Sequence, residues 1–387
     1  MKFFINSLIL FVLLSVKSAF AYPHFIAHGY NSCITCHYNP MGNGPVNDYG
    51  RAVGATMVSS RGFYDDNKPE DLIAKESGFF FKEPTSKHFR PFVGYRGMLM
   101  KTNFGQNSEK TEYINMQLDA NMVIKFGEKD QYILAGGIGY TPIPRSLKGT
   151  AAAKTMDEYR SREYYAGYRP VPEWGFYAGL FDKPFGIRVV EHNAYSRTTP
   201  LLNMNDQAHG VLIHYTTPQF ETAFNVFVGN LASDKSLQNK GASGTFEYTL
   251  FEKNRIGLSL MSNKNDFLIS QALAMHIRSQ LTYGASLMFE VGRVDKKPVS
   301  NAWKKNEYYA LMQNHIKATR GVYVLNSIEY YKSSLDKNYR VRFGPGIQYF
   351  PLNRFEFRLD VYNTRNFSQE TSSIDRWDVL GQVHLWF

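Results

Sequence analysis

The chain has 387 residues, 43% of them hydrophobic and 20% charged, with a formal net charge of +10. A basic surplus raises nucleic acid as a partner, but no recognition motif accompanies it, so it is better read as a bias toward small anions or acidic partners. Beyond the first twenty-one residues no run of eighteen apolar residues occurs, which excludes a transmembrane helix, and 26 tyrosines with 29 phenylalanines describe aromatic strands rather than helices.

Residues 1–21 read as a secretory signal peptide. Met1-Lys2 gives a basic start, Phe3 to Leu14 is an apolar run, and Ala19-Phe20-Ala21 is a small-x-small cleavage site. The mature chain is expected to begin near Tyr22, outside the cytoplasm.

Residues 22–87 form a loop-rich unit organised around Cys33-Ile34-Thr35-Cys36-His37, which holds the only two cysteines of the chain. Two thiols three apart can add across the two vinyl groups of one haem, with the adjacent histidine placed to bind the iron. A zinc site wants a second pair of ligands, which is missing. A thioredoxin-like dithiol wants a βαβ pattern, which is also missing. The reading is one covalent haem c, with Cys33 and Cys36 as attachment points and His37 as proximal ligand. Export suits this chemistry. The sixth ligand decides between electron carrier and catalyst. His28 is the first candidate, His24 the second and Met41 the third. Asn39 to Pro45 is turn chemistry, and Asn47-Asp48 opens a short helix. Arg51 is a candidate partner for a haem propionate.

From residue 88 to 387 the chain changes to a period of two. Trp377, Val379, Gly381, Val383, Leu385 and Phe387 share one face against Asp378, Gln382 and His384; Phe355, Phe357, Leu359 and Val361 alternate with Glu356, Arg358 and Asp360. About sixteen such strands follow one another, an even number as a closed bacterial barrel requires. Alternate links are tight, as at Gly127–Asp130 and Pro351–Asn353, while 143–160, 184–207, 295–305 and 367–375 are long. The fold class is therefore all-β, an antiparallel transmembrane barrel with a small haem-binding N-terminal segment on the periplasmic side or in the lumen. A soluble sandwich of this length needs far fewer strands and no aromatic ends. The loop 184–207 either folds inward as a constriction or stays outside.

The barrel part resembles outer-membrane porins, and Gly179-Leu180-Phe181-Asp182-Lys183-Pro184-Phe185-Gly186 looks like the strand and turn of phosphate-selective porins of the O/P type. The N-terminal part is similar to exported monohaem proteins through Pro23, Phe25, Cys33, Cys36, His37, Gly50 and Arg51. Together they resemble a porin-like cytochrome c.

On the expected lumen face, Arg90, Arg96, Lys125, Arg278, Lys317, Arg340, Arg342 and Arg358 outnumber Asp119, Glu247, Glu307, Glu356 and Asp360, which implies a mild anion preference. The functional expectation is an outer-membrane, non-enzymatic electron relay that meets periplasmic or extracellular electron-transfer proteins and is embedded in lipid. The alternative is a diffusion porin for small solutes in which the haem segment is a plug or gate. A haem peroxidase would need a distal acid–base pair, and none stands near the motif.

Overall fold

A computed structural model describes residues 23–42, 44–65, 67–140, 158–191, 193–336, 338–368 and 374–387. The strands are β1 (Phe89–Thr102), β2 (Lys110–Phe126), β3 (Tyr132–Tyr140), β4 (Tyr159–Arg160), β5 (Tyr164–Val171), β6 (Trp174–Phe181), β7 (Ala208–Thr216), β8 (Phe220–Phe227) and β9 (Lys240–Leu250). They continue as β10 (Asn254–Lys264), β11 (Leu268–Thr282), β12 (Ala285–Pro298), β13 (Lys305–Thr319), β14 (Val322–Ser333), β15 (Tyr339–Tyr349), β16 (Phe355–Phe367) and β17 (Ile374–Trp386).

Every pairing around the wall is antiparallel, and β1 closes the ring on β17 with Gly94 opposite Trp386 and Lys101 opposite Val379. The short β4 and the longer β5 both pair with β3 and so share one position around the wall. The result is the closed sixteen-stranded antiparallel barrel expected from the period-two pattern. Residues 161–163 interrupt the strand pattern between β4 and β5 for a physical reason. Arg162 turns inward to Asp119 at 2.7 Å, and Glu163 turns inward to accept from Asn39 at 2.6 Å.

The wall inverts the burial of a soluble protein. On β10, Ile256, Leu258 and Leu260 are exposed while Arg255, Ser259 and Asn263 are buried; on β11, Leu273, Met275 and Ile277 are exposed while His276 and Arg278 are buried. Only a hydrocarbon solvent stabilises that arrangement, with apolar residues outward and polar ones in the lumen. Aromatic rings mark both rims. At the tight-turn rim Phe126, Tyr132 and Tyr168 stack in series at 5.2 and 5.0 Å, followed by Trp174 against Tyr215 at 4.7 Å. At the other rim Tyr339 stacks on Phe367 at 4.7 Å. Of the long links, 141–157 and 369–373 lie outside the described residues.

Among the described residues, two segments fill the lumen. The loop between β6 and β7 folds inward: Phe185 packs with Met261 and Tyr309, Ile187 and Val189 pack with Met288 and Leu311, and Glu191 pairs with Arg358. The N-terminal segment occupies the tight-turn mouth. It runs through short helices at Pro23–Ile26, Asp48–Val53 and Glu70–Lys75 and is bonded around the ring. Asp48 pairs with Arg90 at 2.7 Å and Lys125 at 3.3 Å, and Arg169 donates to the Tyr38 carbonyl at 2.7 Å. Arg320 donates to the Ser59 carbonyl at 2.8 Å, and Arg354 to the Ser77 carbonyl at 3.0 Å. The turn between β14's start and β13 carries Gly321 at φ +88, where a β-carbon would lie 2.7 Å from the Ser60 nitrogen; the plug backbone needs that space.

Candidate functional site

The Cys-x-x-Cys-His stretch is a tight 3₁₀ turn. Cys33–Thr35 coils once, and the amides of Cys36 and His37 both donate to the Cys33 carbonyl, at 3.1 and 2.9 Å. Asn47 fixes this turn from below. Its side-chain amide donates to the Ile34 and Thr35 carbonyls at 3.2 and 3.0 Å, and its backbone amide donates to the Cys36 carbonyl at 2.8 Å. The same side chain caps the next helix by accepting from the Gly50 amide at 2.9 Å. Gly50 then packs so closely that a β-carbon there would stand 2.3 Å from the Cys36 carbonyl oxygen. Gly42, at φ +74, brings its backbone against the Cys33 sulfur, 3.1 Å from an ideal β-carbon. Gly42, met in the sequence as a turn residue, and Gly50, met there through the resemblance to monohaem proteins, shape the surroundings of the motif.

Cys33, Cys36 and His37 line one cavity of about 350 Å³ between the N-terminal plug and the inward loop. That volume falls within the range of small-molecule sites, roughly 300 to 1,000 Å³. The two thiols are not joined as a disulfide. Burial pushes both up, Cys36 to about 12, with Cys33 adding to the effect on Cys36. A reactive dithiol needs the opposite displacement, so the pair does not have the electrostatics of a redox nucleophile. The barrel wall reaches the motif through Arg278, whose Nη1 lies 3.8 Å from the Cys33 sulfur. Arg278 is itself held by Glu247, which also accepts from His276 at 2.8 Å and from Arg255 at 3.4 Å.

The other sequence candidates fall in different places. Met41 lines the cavity. His28 does not; its ring sits edge-on to Tyr283 at 4.7 Å, and burial, then the charge of Lys317, hold it neutral down to about pH 4. The His24 side chain lies outside the described residues. Arg51 lines the cavity, but its Nη1 donates to Ser77 at 2.8 Å and the Ala74 carbonyl at 3.3 Å. Met204, Met288 and His384 also line it. Sequence reasoning did not single these out, although Met288 and His384 sit at lumen-facing positions of their strands.

The lumen arginines are largely committed. Arg90 holds Asp48; Arg342 pairs with Glu329 at 2.5 Å between the rings of Tyr195 and Tyr362; Arg358 holds Asp360 at 2.7 Å and also Glu191. Arg96 lines the cavity 3.5 Å from His384. Arg340 is exposed beside Tyr331, with its guanidinium 6.0 Å from the ring centre.

No protein-family model and no curated protein matches the chain. Solved structures do. It is similar to the outer-membrane expressed OmpT of Vibrio cholerae, with a TM-score of 0.61 at 9% identity over 79% of this chain and 99% of that one. An anion-selective porin from Comamonas acidovorans gives 0.58 at 8% identity over 77% and 99%. The outer-membrane channel DcaP of Acinetobacter baumannii gives 0.54 at 10% over 80% and 99%. At such identities the likeness is one of fold, a porin-type transmembrane barrel.

Proposed function

We propose that the chain is an outer-membrane barrel whose lumen plug carries one covalent haem c, held by thioethers to Cys33 and Cys36 with His37 on the iron. It acts as an electron relay at the outer membrane rather than as an enzyme. The observation that carries this reading is the convergence of Cys33, Cys36 and His37 on one lumen cavity. The thiols are unbridged, the backbone at Gly42 closely approaches the Cys33 sulfur, and the backbone at Gly50 closely approaches the Cys36 carbonyl. When bound, the haem supplies one-electron chemistry. The chain's own residues orient it: Asn47 fixes the motif, Arg278 abuts the Cys33 sulfur, and Met41 is the sequence candidate for the distal position that shares the cavity. Periplasmic and extracellular electron-transfer proteins are the partners implied, because one haem alone does not cross an apolar band of about 25 Å.

A second reading is a diffusion porin for small solutes with the plug as gate, favoured by the porin neighbours, one of them described as anion-selective. Against free diffusion stands the occupation of the lumen by the plug and the inward loop. Purified protein in liposomes loaded with a reducible dye separates the two. With a soluble electron-transfer protein enclosed beside the dye, the relay reading expects dye reduction by an external donor that does not permeate, lost in Cys33→Ala/Cys36→Ala. Equal solute flux in both proteins and no electron transfer in either would leave the porin reading.

A further inference from the structure

The arginines around the cavity differ in how their charge is answered. Arg162 faces Asp119 at 2.7 Å, Arg278 is held by Glu247, and Arg354 is spent on the Ser77 and Trp386 carbonyls at 3.0 and 3.4 Å. Arg96 has no ion pair either but touches His384 at 3.5 Å, which leaves Arg197, on the short helix Tyr195–Thr198 of the inward loop, as the one with neither an ion pair nor a hydrogen-bond partner among the described residues. It lines the same cavity and is 5% exposed. Its Nε is buried without a partner, and its guanidinium makes no ion pair or hydrogen bond with a described residue. The carboxylates whose field reaches it are engaged elsewhere. Glu290 accepts from Tyr309 at 2.7 Å and from the Ile187 amide, and Asp206 accepts from the Asn203 amide at 2.7 Å.

A guanidinium keeps its charge at any ordinary pH, and burying its N–H groups without hydrogen-bond partners is unfavourable; Glu290 and Asp206 answer the charge only at a distance, with no hydrogen bond to it. The cavity therefore offers open donors to an anion at this point, and guanidinium geometry matches a carboxylate. A haem attached through its vinyl groups turns its two propionates to the opposite edge of the ring. Cys33 and Cys36 belong to the plug side of the cavity, and Arg197 belongs to the loop side. From this juxtaposition we infer that Arg197 is the docking residue for a carboxylate in the lumen, a propionate of the haem held by Cys33 and Cys36. The assignment rests on the haem reading above. It makes the inward loop part of the cofactor site rather than a constriction for solutes.

The test is a spectroelectrochemical titration from pH 5 to 8 of the full-length protein as purified, alongside Arg197→Gln and Arg197→Lys. Folding is checked by the migration of unboiled samples in SDS gels. Loss of the cation leaves a propionate uncompensated and favours the oxidised iron. In Arg197→Gln the ratio of oxidised to reduced protein at fixed potential should rise about tenfold, equivalent to about 59 mV for one electron. The potential of this variant should also become pH-dependent between 5 and 7, while wild type and Arg197→Lys stay flat. The wild-type profile is informative without any variant, since a steep slope in that range contradicts a paired propionate. Haem present with identical potentials and profiles in all three proteins overturns the assignment and leaves the haem reading standing. A wild-type spectrum without covalent haem removes both. A free carboxylate solute is the competing source, probed by reversal potentials under a potassium acetate gradient. If Arg197→Gln shifts those while the haem potential stays fixed, the guanidinium serves a solute and the propionate assignment fails.

Discussion

Along β10 the residues alternate without exception between lipid and lumen, whereas from Asn31 to Arg51 in the plug no period exists and the described contacts each join a different pair of residues. The wall is specified by a repeated rule, and any one residue in it matters mainly through its face. The plug is specified by individual contacts: Asn47 on three carbonyls, Gly50 on Cys36, Asp48 on Arg90 and Asn39 on Glu163. Errors in the two regions should therefore have different consequences. A wall substitution should act according to polarity, and a plug substitution according to position.

The largest effect should come from the plug. Cys33→Ala/Cys36→Ala should abolish bound haem altogether while the barrel still inserts and resists SDS unboiled; haem retained after acid–acetone extraction of this variant would remove the attachment. In the wall, Leu260→Arg puts a cation on the lipid face and should cost about 2 to 4 kcal/mol if it lies near the bilayer midplane. The neighbouring lumen-facing Ser259→Ala removes the hydroxyl that accepts from the Gly186 amide at 2.9 Å and should cost about 1 kcal/mol. Urea unfolding from lipid bilayers measures both, and equal costs would break the claim that face decides.

A plug substitution with no change of polarity comes next. Gly50→Ala forces a β-carbon onto the Cys36 carbonyl and should cost about 1 to 3 kcal/mol of plug stability, read as faster proteolysis of the N-terminal segment with the barrel intact. Asp48 gives a smaller, pH-linked effect. Burial raises its pKa, but the hydrogen bond from Arg90 and the charges of Arg90 and Lys125 outweigh burial and hold it below the usual carboxylate range. A lowered folded pKa contributes stability that is present above the unfolded value, about 3.9, and is lost as pH falls through the folded value. The plug should thus loosen only in acid. Asp48→Asn should remove this dependence at a cost of at most about 1 kcal/mol, because the carboxylate is partly exposed. Smallest of all, Arg340→Gln at the exposed rim should shift ion selectivity little, whereas removing Arg96 inside the cavity should shift it more; planar bilayer reversal potentials compare them.

The same contrast explains what could be read in advance. The strands, their closure and the tight-turn rim were legible because a period of two repeats over some 300 residues. The interruption at Arg162 and Glu163 was not, since it depends on Asp119 and Asn39, distant in sequence. Whether residues 184–207 turn inward was also open from sequence; the pairing of Glu191 with Arg358 and the packing of Phe185 on Met261 answer it. In the plug the motif was legible as chemistry, but its place in the lumen depends on ion pairs such as Asp48 with Arg90. No local pattern encodes those. For the same reason spacing brought His28 forward as a ligand, while the fold turns it toward Tyr283 and leaves Met41 on the cavity.

The central claim is that the lumen plug holds a covalent haem, and the visible spectrum of the detergent-purified protein after acid–acetone extraction tests it most directly. The account predicts a reduced haem band that stays with the polypeptide and is unmoved by carbon monoxide, as two protein ligands on the iron require. A polypeptide without that band would contradict it, leaving a plugged porin with two buried thiols.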